Sequence, residues 1–536
     1  MKGIESRPTG FLGKFLALGV LVTACVLIPS GFFYRWLGEG RQFGLGEQPL
    51  WFAHEATIAA GADDMPDRFV CFHNGVSALW DYHNGPQKQN FADARLEVIG
   101  PDLYREYLDL QSRLARNKDW NSWFERNGRP GLLLDLVQES SAAPVANALA
   151  HPDWRCVWFD AMAAVFVHRE SKAAHRAINF ADRHFHRIFR KQDTGEFAGL
   201  QAEAKAAQDV AMNLLGPVVD VDGTMLRAPR RDLAAGLLLY AHGLAHDALL
   251  ANAHPANVWK SLAMIASLRN GAIAADPTGR YRKPYDPLVD LERLRAVAAF
   301  RKSLEDNPDG FTVLFTLASL FREGKMAEAA IPLYEHLGEL SPINATQRGV
   351  QASLPQVLAS LRSQVGTTKP GNWKNLSELD QQVNGLLDHG QVETAANLLE
   401  SAYPREGRPW EVSNRIGTLR LHLGDPVGAR KAWSEAPDSP RPALQKTRVA
   451  LTYLLEERYE QARTLLQESL EIEPAFFEAL YTLGVLEVDD GYGHRDEAVS
   501  LVTRAMQVAP GAAAQSALRE LQALLNSGEA GSTTNP

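Results

Sequence analysis

The chain has 536 residues, 45% of them apolar, enough to build cores for about two to four domains and too apolar for a disordered protein. Its net charge of −9 comes without a basic run that would track phosphates, which argues against nucleic acid as a partner. Three cysteines, Cys25, Cys71 and Cys156, are too few for a disulfide framework or a cysteine-rich zinc site.

Residues 15–34 carry no charge, and at helical rise they span about 30 Å, the thickness of a hydrocarbon core. Val22-Thr23-Ala24-Cys25 has the letters of a lipoprotein cleavage site. The run stays apolar past Cys25, however, and ends in Phe32, Phe33, Tyr34 and Trp36, rings suited to a membrane interface. This predicts a retained transmembrane helix over 15–37. Lys2, Arg7 and Lys14 outweigh Glu5 before it, while Arg35 and Arg41 are balanced by Glu39 and Glu47 after it. Residues 1–14 are therefore expected in the cytoplasm and the bulk of the chain outside it.

Over 38–170, short runs rich in β-formers at Phe69–Phe72, Gly131–Val137, Trp154–Phe159 and Ala163–Val167, with a weaker one at Ala94–Ile99, alternate with helical patterns at Asp102–Arg116 and Asn121–Arg126. This predicts a small, mostly parallel sheet covered by helices. Cys71 and Cys156 both fall in predicted strands. They can bridge only if those strands are neighbours.

Arg41–Gly46, FVCFHNGVSALWDYHN, NFADARLEVIGPDLYREYLDL and HPDWRCVWFDAMAAVFVHR together resemble the segment after the last membrane helix in multi-span bacterial proteins related to glycosyltransferases that use lipid-linked sugars. The resemblance implies a bacterial inner-membrane protein with a periplasmic bulk. Ala94 stands where that family commonly has Gly, and the family's catalytic acidic residue lies in an early loop with no counterpart here, so no catalytic residue carries over.

From 171 onward the pattern is helical. Ala173–Phe189 and Phe197–Leu215 lead into a degenerate unit, Trp259–Leu268 and Leu291–Leu304, interrupted by an insertion at 276–287. Over 311–520, small and aromatic residues recur with a period near that of tetratricopeptide repeats: Leu317-Ala318, Gly324, Ala330, Tyr334 and Pro342; Leu386, Gly390, Ala395 and Leu399; Ile416-Gly417, Gly424, Ala429 and Trp433; Ala450, Tyr453, Ala462 and Pro474; Leu483-Gly484, Ala498, Ala505 and Pro510. A further helix, Val350–Val365, followed by the loop 366–371, is expected to break the array into two blocks. Residues 521–536 read as a disordered tail.

Val218–Leu226, VVDVDGTML, matches the nucleophile loop of haloacid dehalogenase-type phosphatases, with Asp220 as nucleophile and Asp222 as acid and base. No α/β domain follows to complete that site, and Asp489-Asp490 reads as part of a turn between repeat helices, so Asp220–Thr224 is taken as a polar turn linking two helices. His242 and His246, four apart, share a helix face and are weak zinc candidates with Asp247 or His254. Gly243 stands where a zinc protease needs Glu. His184 and His186, two apart, diverge on a helix.

On the first helix of each repeat, Asp380, Asn384, Asp388, Asn414, Thr418, His422 and Tyr481 are placed on the groove side, where they suit hydrogen bonding to an extended peptide. The reading is a mostly α protein: one N-terminal transmembrane helix, a small α/β unit, and a C-terminal tetratricopeptide α-solenoid. It is read as a membrane-anchored, non-enzymatic scaffold with a protein or peptide partner, no cofactor and no catalytic residues. The alternative is the C-terminal portion, or a companion subunit, of a lipid-linked-sugar glycosyltransferase.

Overall fold

The computed structural model describes Thr23, Leu50 and residues 52–527, except 93–95, 138–140, 181–196, 252–254, 275–289, 366–374, 404–406, 437–438, 491–494 and 511. Apart from Thr23, the expected span at 15–37 lies outside the described residues, as do Arg41–Gly46, His184, His186, the insertion 276–287, the loop 366–371 and the tail beyond Ser527.

The α/β unit runs α1 (His54–Ala60), β1 (Arg68–Phe72), α2 (Asn74–Asn84), β2 (Gln89–Asn90), α3 (Leu96–Ala115), α4 (Asn121–Arg126), β3 (Gly131–Asp135), α5 (Ala142–Ala150), β4 (Trp154–Phe159) and β5 (Ala163–His168). The strands order as β2-β1-β3-β5-β4. The first three are parallel, but β5 runs antiparallel to both β3 and β4, so the sheet is mixed and not mostly parallel. The reason is local. Asp160 folds the β4–β5 link into a tight turn, its carboxylate accepting the Met162 and Ala163 amides at 2.7 and 2.8 Å, and a link this short joins only antiparallel strands.

The run at Ala94–Ile99, expected as a strand, enters α3 at Leu96, which kinks at Gly100 (φ 69°) before Pro101. Short apolar runs are ambiguous between strand and helix. Strand residues alternate between two cores: Phe69, Cys71, Leu133 and Val165 pack with Ala56 and Trp80, while Val70, Leu132, Leu134 and Phe166 pack with Leu110, Phe124 and Val145. Strands β1 and β4 are separated by β3 and β5, about 14 Å at ordinary strand spacing, and Cys71 and Cys156 are free, buried thiols.

Past β5, of the helix expected over Ala173–Phe189 the described residues form a 3-10 turn at Lys172–Arg176 and are not helical at 177–180, while 181–189 lie outside the described residues. Then follow α6 (Phe197–Leu215), a two-stranded hairpin of β6 (Val218–Val219) and β7 (Met225–Arg227), α7 (Arg231–Leu250), α8 (Pro255–Ala274) and α9 (Leu291–Asp306). Helix α6 packs on α5, and the buried Arg227 donates to Asn147 Oδ1 at 3.0 Å, so the second core continues from the sheet into the helices. Among the described residues, α7 is the one helix long and apolar enough to cross a membrane, and it is largely buried inside the protein.

The remaining helices form hairpins: α10 (Phe311–Glu323) with α11 (Ala327–Glu339), then the extra α12 (Ala345–Gln364), α13 (Leu376–Asp388) with α14 (Val392–Ala402), α15 (Trp410–His422) with α16 (Pro426–Ser434), α17 (Pro442–Leu455) with α18 (Tyr459–Ile472), α19 (Phe477–Asp490) with α20 (Arg495–Val508), and a last helix α21 (Ala512–Ser527). Pairs start at residues 376, 410, 442 and 477, spacings of 34, 32 and 35. This is a tetratricopeptide-like array, with all five expected units present. Helix α21 runs past residue 520, and Leu521 and Leu525 are buried, so the first residues assigned to the tail belong to the fold.

The expected break at α12 does not separate the array. Helix α14 packs directly on α11: the Glu328 amide donates to Gly390 O at 3.2 Å, and the Glu328 carboxylate accepts the Thr394 amide at 3.1 Å. Gly390, at φ 70°, brings its Cα so near Ala327 that an added Cβ would lie 2.9 Å from backbone atoms. Within a repeat the crossing is as tight. A Cβ on Gly417 would fall 2.5 Å from the ring of the fully buried Trp433. Gly417→Val should therefore lower stability by about 1–3 kcal/mol, measured by denaturant unfolding, with circular dichroism still helical.

Candidate functional site

Residues on the groove side of the first repeat helices can meet a peptide where the inner side of the array is open. Much of it is filled by the chain itself. Helix α9 packs on α15 and α17, and α7 packs on α19 and α21, so α7 and α9 sit against the first helices of the three C-terminal repeats and against the last helix. Leu239, Leu291, Leu294 and Ala298 from α7 and α9 belong to the same core as Leu451, Leu455 and Leu483. Residues 291–300 of α9 are buried on every side. A helix buried all round is normally apolar, yet this one carries Glu292, Arg293 and Arg295.

Those charges are matched by residues far away in sequence. Arg295, 4% exposed in its side chain, pairs with Glu457 at 3.3 Å and also with Asp489 and, at 3.6 Å, Glu292. Arg269 of α8 reaches Glu292 at 3.2 Å and Asp489 at 3.1 Å. Tyr459 donates to Glu457 at 2.6 Å, and His246 Nδ1 lies 3.1 Å from the same carboxylate, its ring stacked on Tyr459 at 4.4 Å. His242 Nε2 lies 3.1 Å from the Arg295 guanidinium and 3.3 Å from Glu457. Beside this cluster, Arg293 pairs with Asp290 at 2.9 Å and donates to His422 Nδ1 at 3.1 Å.

Burial alone would raise the Glu457 carboxyl, but the charges of His242 and Arg295 and the imidazole hydrogen bonds hold it well below the usual carboxylate range. His246 feels burial, which disfavours its cation, yet the hydrogen bond and charge of Glu457 lift it above the ordinary imidazole value. His242 is pulled down by burial, only partly offset by the charge and hydrogen bond of Glu457. The Arg295 guanidinium is held charged: the carboxylates of Asp489, Glu292 and Glu457 outweigh its burial.

His242 and His246, the weak zinc candidates, both face the Glu457 carboxylate, at 3.3 and 3.1 Å. Asp489-Asp490 ends helix α19, not a turn, and Asp489 is fully buried. His422 is fully buried against Arg293 and does not line an open groove. Tyr481 is half-buried beside Phe477, ring centroids 6.0 Å apart, and the Thr418 hydroxyl is spent on the Asn414 carbonyl at 2.8 Å. What the structure brings together at the free edge is Asp380 and Asn384 of α13, both exposed, with Arg415 of α15, which pairs with Asp380 at 3.2 Å and also donates to Asn384. Asn414 is half-buried next to it, and Asp388 is exposed at the end of α13.

Asp220 and Asp222 sit in the β6–β7 hairpin, not in a simple turn between helices. Asp220 pairs with Lys118 at 2.7 Å, and Asp222 accepts the Thr224 amide at 2.9 Å. Both carboxyls are held below their ordinary values by these hydrogen bonds, Lys118's first for Asp220 and Thr224's for Asp222. A general acid needs the opposite shift.

Two polar groups in the α/β unit escaped the sequence reading. At the C-terminal ends of β1 and β3, His73 (φ 115°) places Nδ1 3.4 Å from Asp135, whose carboxyl burial raises. Glu125, Asp153 and His168 bring possible ligand atoms within 4.8 Å of one another, but Arg129 and Arg169 already take the two carboxylates at 2.7 and 3.1 Å.

Because Asp489 neutralises two buried guanidiniums, Asp489→Ala should cost about 3–5 kcal/mol in denaturant unfolding. Asp220→Asn should leave both the melting temperature and any phosphate release unchanged.

No known protein family matches the chain, and no curated protein matches it. Among solved structures, the crystal structure of MamA is 13% identical, covering 30% of this chain and 97% of its own, with a TM-score of 0.23. That of the APC/C hetero-tetramer Cut9–Hcn1 is 14% identical over 66% of this chain and 62% of its own, TM-score 0.24. Yeast Tom70 is 13% identical over 90% and 82%, TM-score 0.24. Likeness at this level carries no argument of its own, and the repeat assignment rests on the helix pairs of this chain. The resemblance of residues 41–170 to glycosyltransferase-related segments finds no support in these comparisons.

Proposed function

We propose that this chain is a membrane-anchored, non-enzymatic scaffold whose repeat array docks an extended segment of a protein partner along α13 and α15. The carrying observation is the strip of Asp380, Asn384, Asn414 and Arg415. Asp380 and Asn384 keep hydrogen-bonding groups at the surface beside the half-buried Asn414 and Arg415 of the next repeat, while the neighbouring inner face is filled by α7–α9. A peptide backbone laid across these side chains would be held by hydrogen bonds, with Arg415 free to exchange Asp380 for a partner carboxylate. The uncharged run at residues 15–34 supports the anchor, with the repeats outside the cytoplasm.

The test is site-specific photocrosslinking in membranes from a probe at Asp388, comparing wild type with Arg415→Glu. The scaffold reading expects a discrete adduct that falls about tenfold, the ~1.4 kcal/mol of one charge-assisted contact, with an unchanged melting temperature. Equal adduct yield in both would sink it. Topology is checked with Thr368→Cys in intact cells: labelling by a membrane-impermeant maleimide that needs only outer-membrane passage is expected, and labelling only after the inner membrane is broken would reverse the orientation.

A further inference from the structure

The chain enters the α/β unit through an exposed aromatic patch. Phe52 stands two residues before α1, and Ile58 of α1 and Tyr82 of α2 share its exposure, at 40%, 56% and 78% respectively. A run of ring contacts joins them: Phe52 to His54 with centroids 6.1 Å apart, His54 to His83 at 5.1 Å, and His83 to Tyr82 at 4.9 Å. Ile58, one turn after His54, extends the same face of α1. The surface is held in one shape. His54 Nδ1 lies 2.7 Å from His83 Nε2, and Asn84 donates to the Thr57 carbonyl at 3.0 Å, which fixes α1 against α2. Beneath the patch, Ala56, Ala60, Val76 and Trp80 pack on one face of the sheet, while α5 and α6 join the helical block to the other. The patch therefore lies on the side of the sheet opposite the repeats.

We propose that this patch is a membrane-contact surface, which rests on the lipid interface beside the uncharged run 15–34 and seats the α/β unit against the bilayer. The proposal rests on the membrane-anchor reading and goes beyond it, because a tether of residues 35–51 can reach about 60 Å and by itself fixes no face of the fold. The occupant follows from where the chain enters and from the chemistry of the rings. Phe52, the first residue of the patch, is also the point at which the chain arriving from the uncharged run joins the fold. Phenol and imidazole rings pair an apolar body with a polar edge, the combination that settles at a membrane–water boundary, and the run itself ends in rings of this kind at Phe32, Phe33, Tyr34 and Trp36. Glu55 and Asp81, the exposed sequence neighbours of His54 and Tyr82, limit the depth. A carboxylate is costly in hydrocarbon, so the contact stops among the headgroups. Neither a lysine nor an arginine belongs to the patch, so its contact does not depend on anionic lipid.

The experiment uses the full chain with Cys25→Ser in phosphatidylcholine vesicles, carrying a nitrobenzoxadiazole label at Ile58→Cys, at Tyr82→Cys or, as control, at the exposed Lys302→Cys on α9, with Cys71 and Cys156 buried. Vesicle flotation is read first, and the chain is expected to float. Lipids spin-labelled near the headgroup are then expected to quench the labels at 58 and 82, with blue-shifted emission, and to leave the label at 302 unchanged. Adding phosphatidylglycerol should not alter this. Phe52→Ser combined with Ile58→Ser should abolish quenching at 82 while flotation and circular dichroism stay as in wild type. A chain that does not float would overturn the anchor and the proposal together. Flotation with labels at 58 and 82 as unquenched as the one at 302 would overturn the proposal alone and leave the anchor standing. A blue shift without lipid quenching would put a second copy of the chain on the patch, and quenching that needs phosphatidylglycerol would make the contact electrostatic; either result would also overturn it.

Discussion

The pairing of Arg295 with Glu457 and Asp489 is the constraint on which the rest of the helical architecture depends. A guanidinium on a helix buried all round is tolerated only if every charge near it is matched, because leaving one partner unpaired in a low-dielectric interior costs several kcal/mol. Those partners come from α18's approach and the end of α19, some 160 to 190 residues further along the chain. The C-terminal repeats must therefore curl back onto α7–α9. A purely apolar seam would permit sliding between helices. Paired charges allow one register.

That register explains where the array is open and where it is closed. Helices α15, α17 and α19 spend their inner side on α7 and α9, leaving α13 and the start of α15 to offer Asp380, Asn384 and Arg415. The α/β unit is fastened at the opposite end of the same continuous core, through α5 and α6 with Arg227 bound to Asn147. Among the described residues, the chain is thus a sheet domain, a central helical block and an array packed against that block, with Asp380, Asn384 and Arg415 at an open edge of the groove.

Much of this was legible in the sequence. The five repeat pairs follow from small residues at helix crossings, of which Gly417 against Trp433 is the clearest, and the aromatic and apolar run Trp154–Phe159 marks β4 to its observed ends. Other features were legible only in part. The Asp160–Met162 link is too short for a crossover, so the antiparallel end of the sheet was available from its length. Leu96–Ile99 has no periodicity long enough to separate helix from strand. What the sequence does not carry is which distant charge meets which. The i, i+4 spacing put His242 and His246 on one face but said nothing of Glu457, and His422 occupied a groove position in a groove filled by α9. Pairings across two hundred residues are properties of the superhelical curvature, which no local pattern encodes.

The central claim is that α9 is held inside the C-terminal repeats as part of one cooperative unit. Hydrogen exchange of the full chain at neutral pH tests this most directly, because amides exchange through the opening of the unit they belong to. Backbone amides of residues 294–300 are expected to exchange as slowly as those of α17 and α19. Fast exchange across 294–300 while α17 and α19 remain protected would contradict the account.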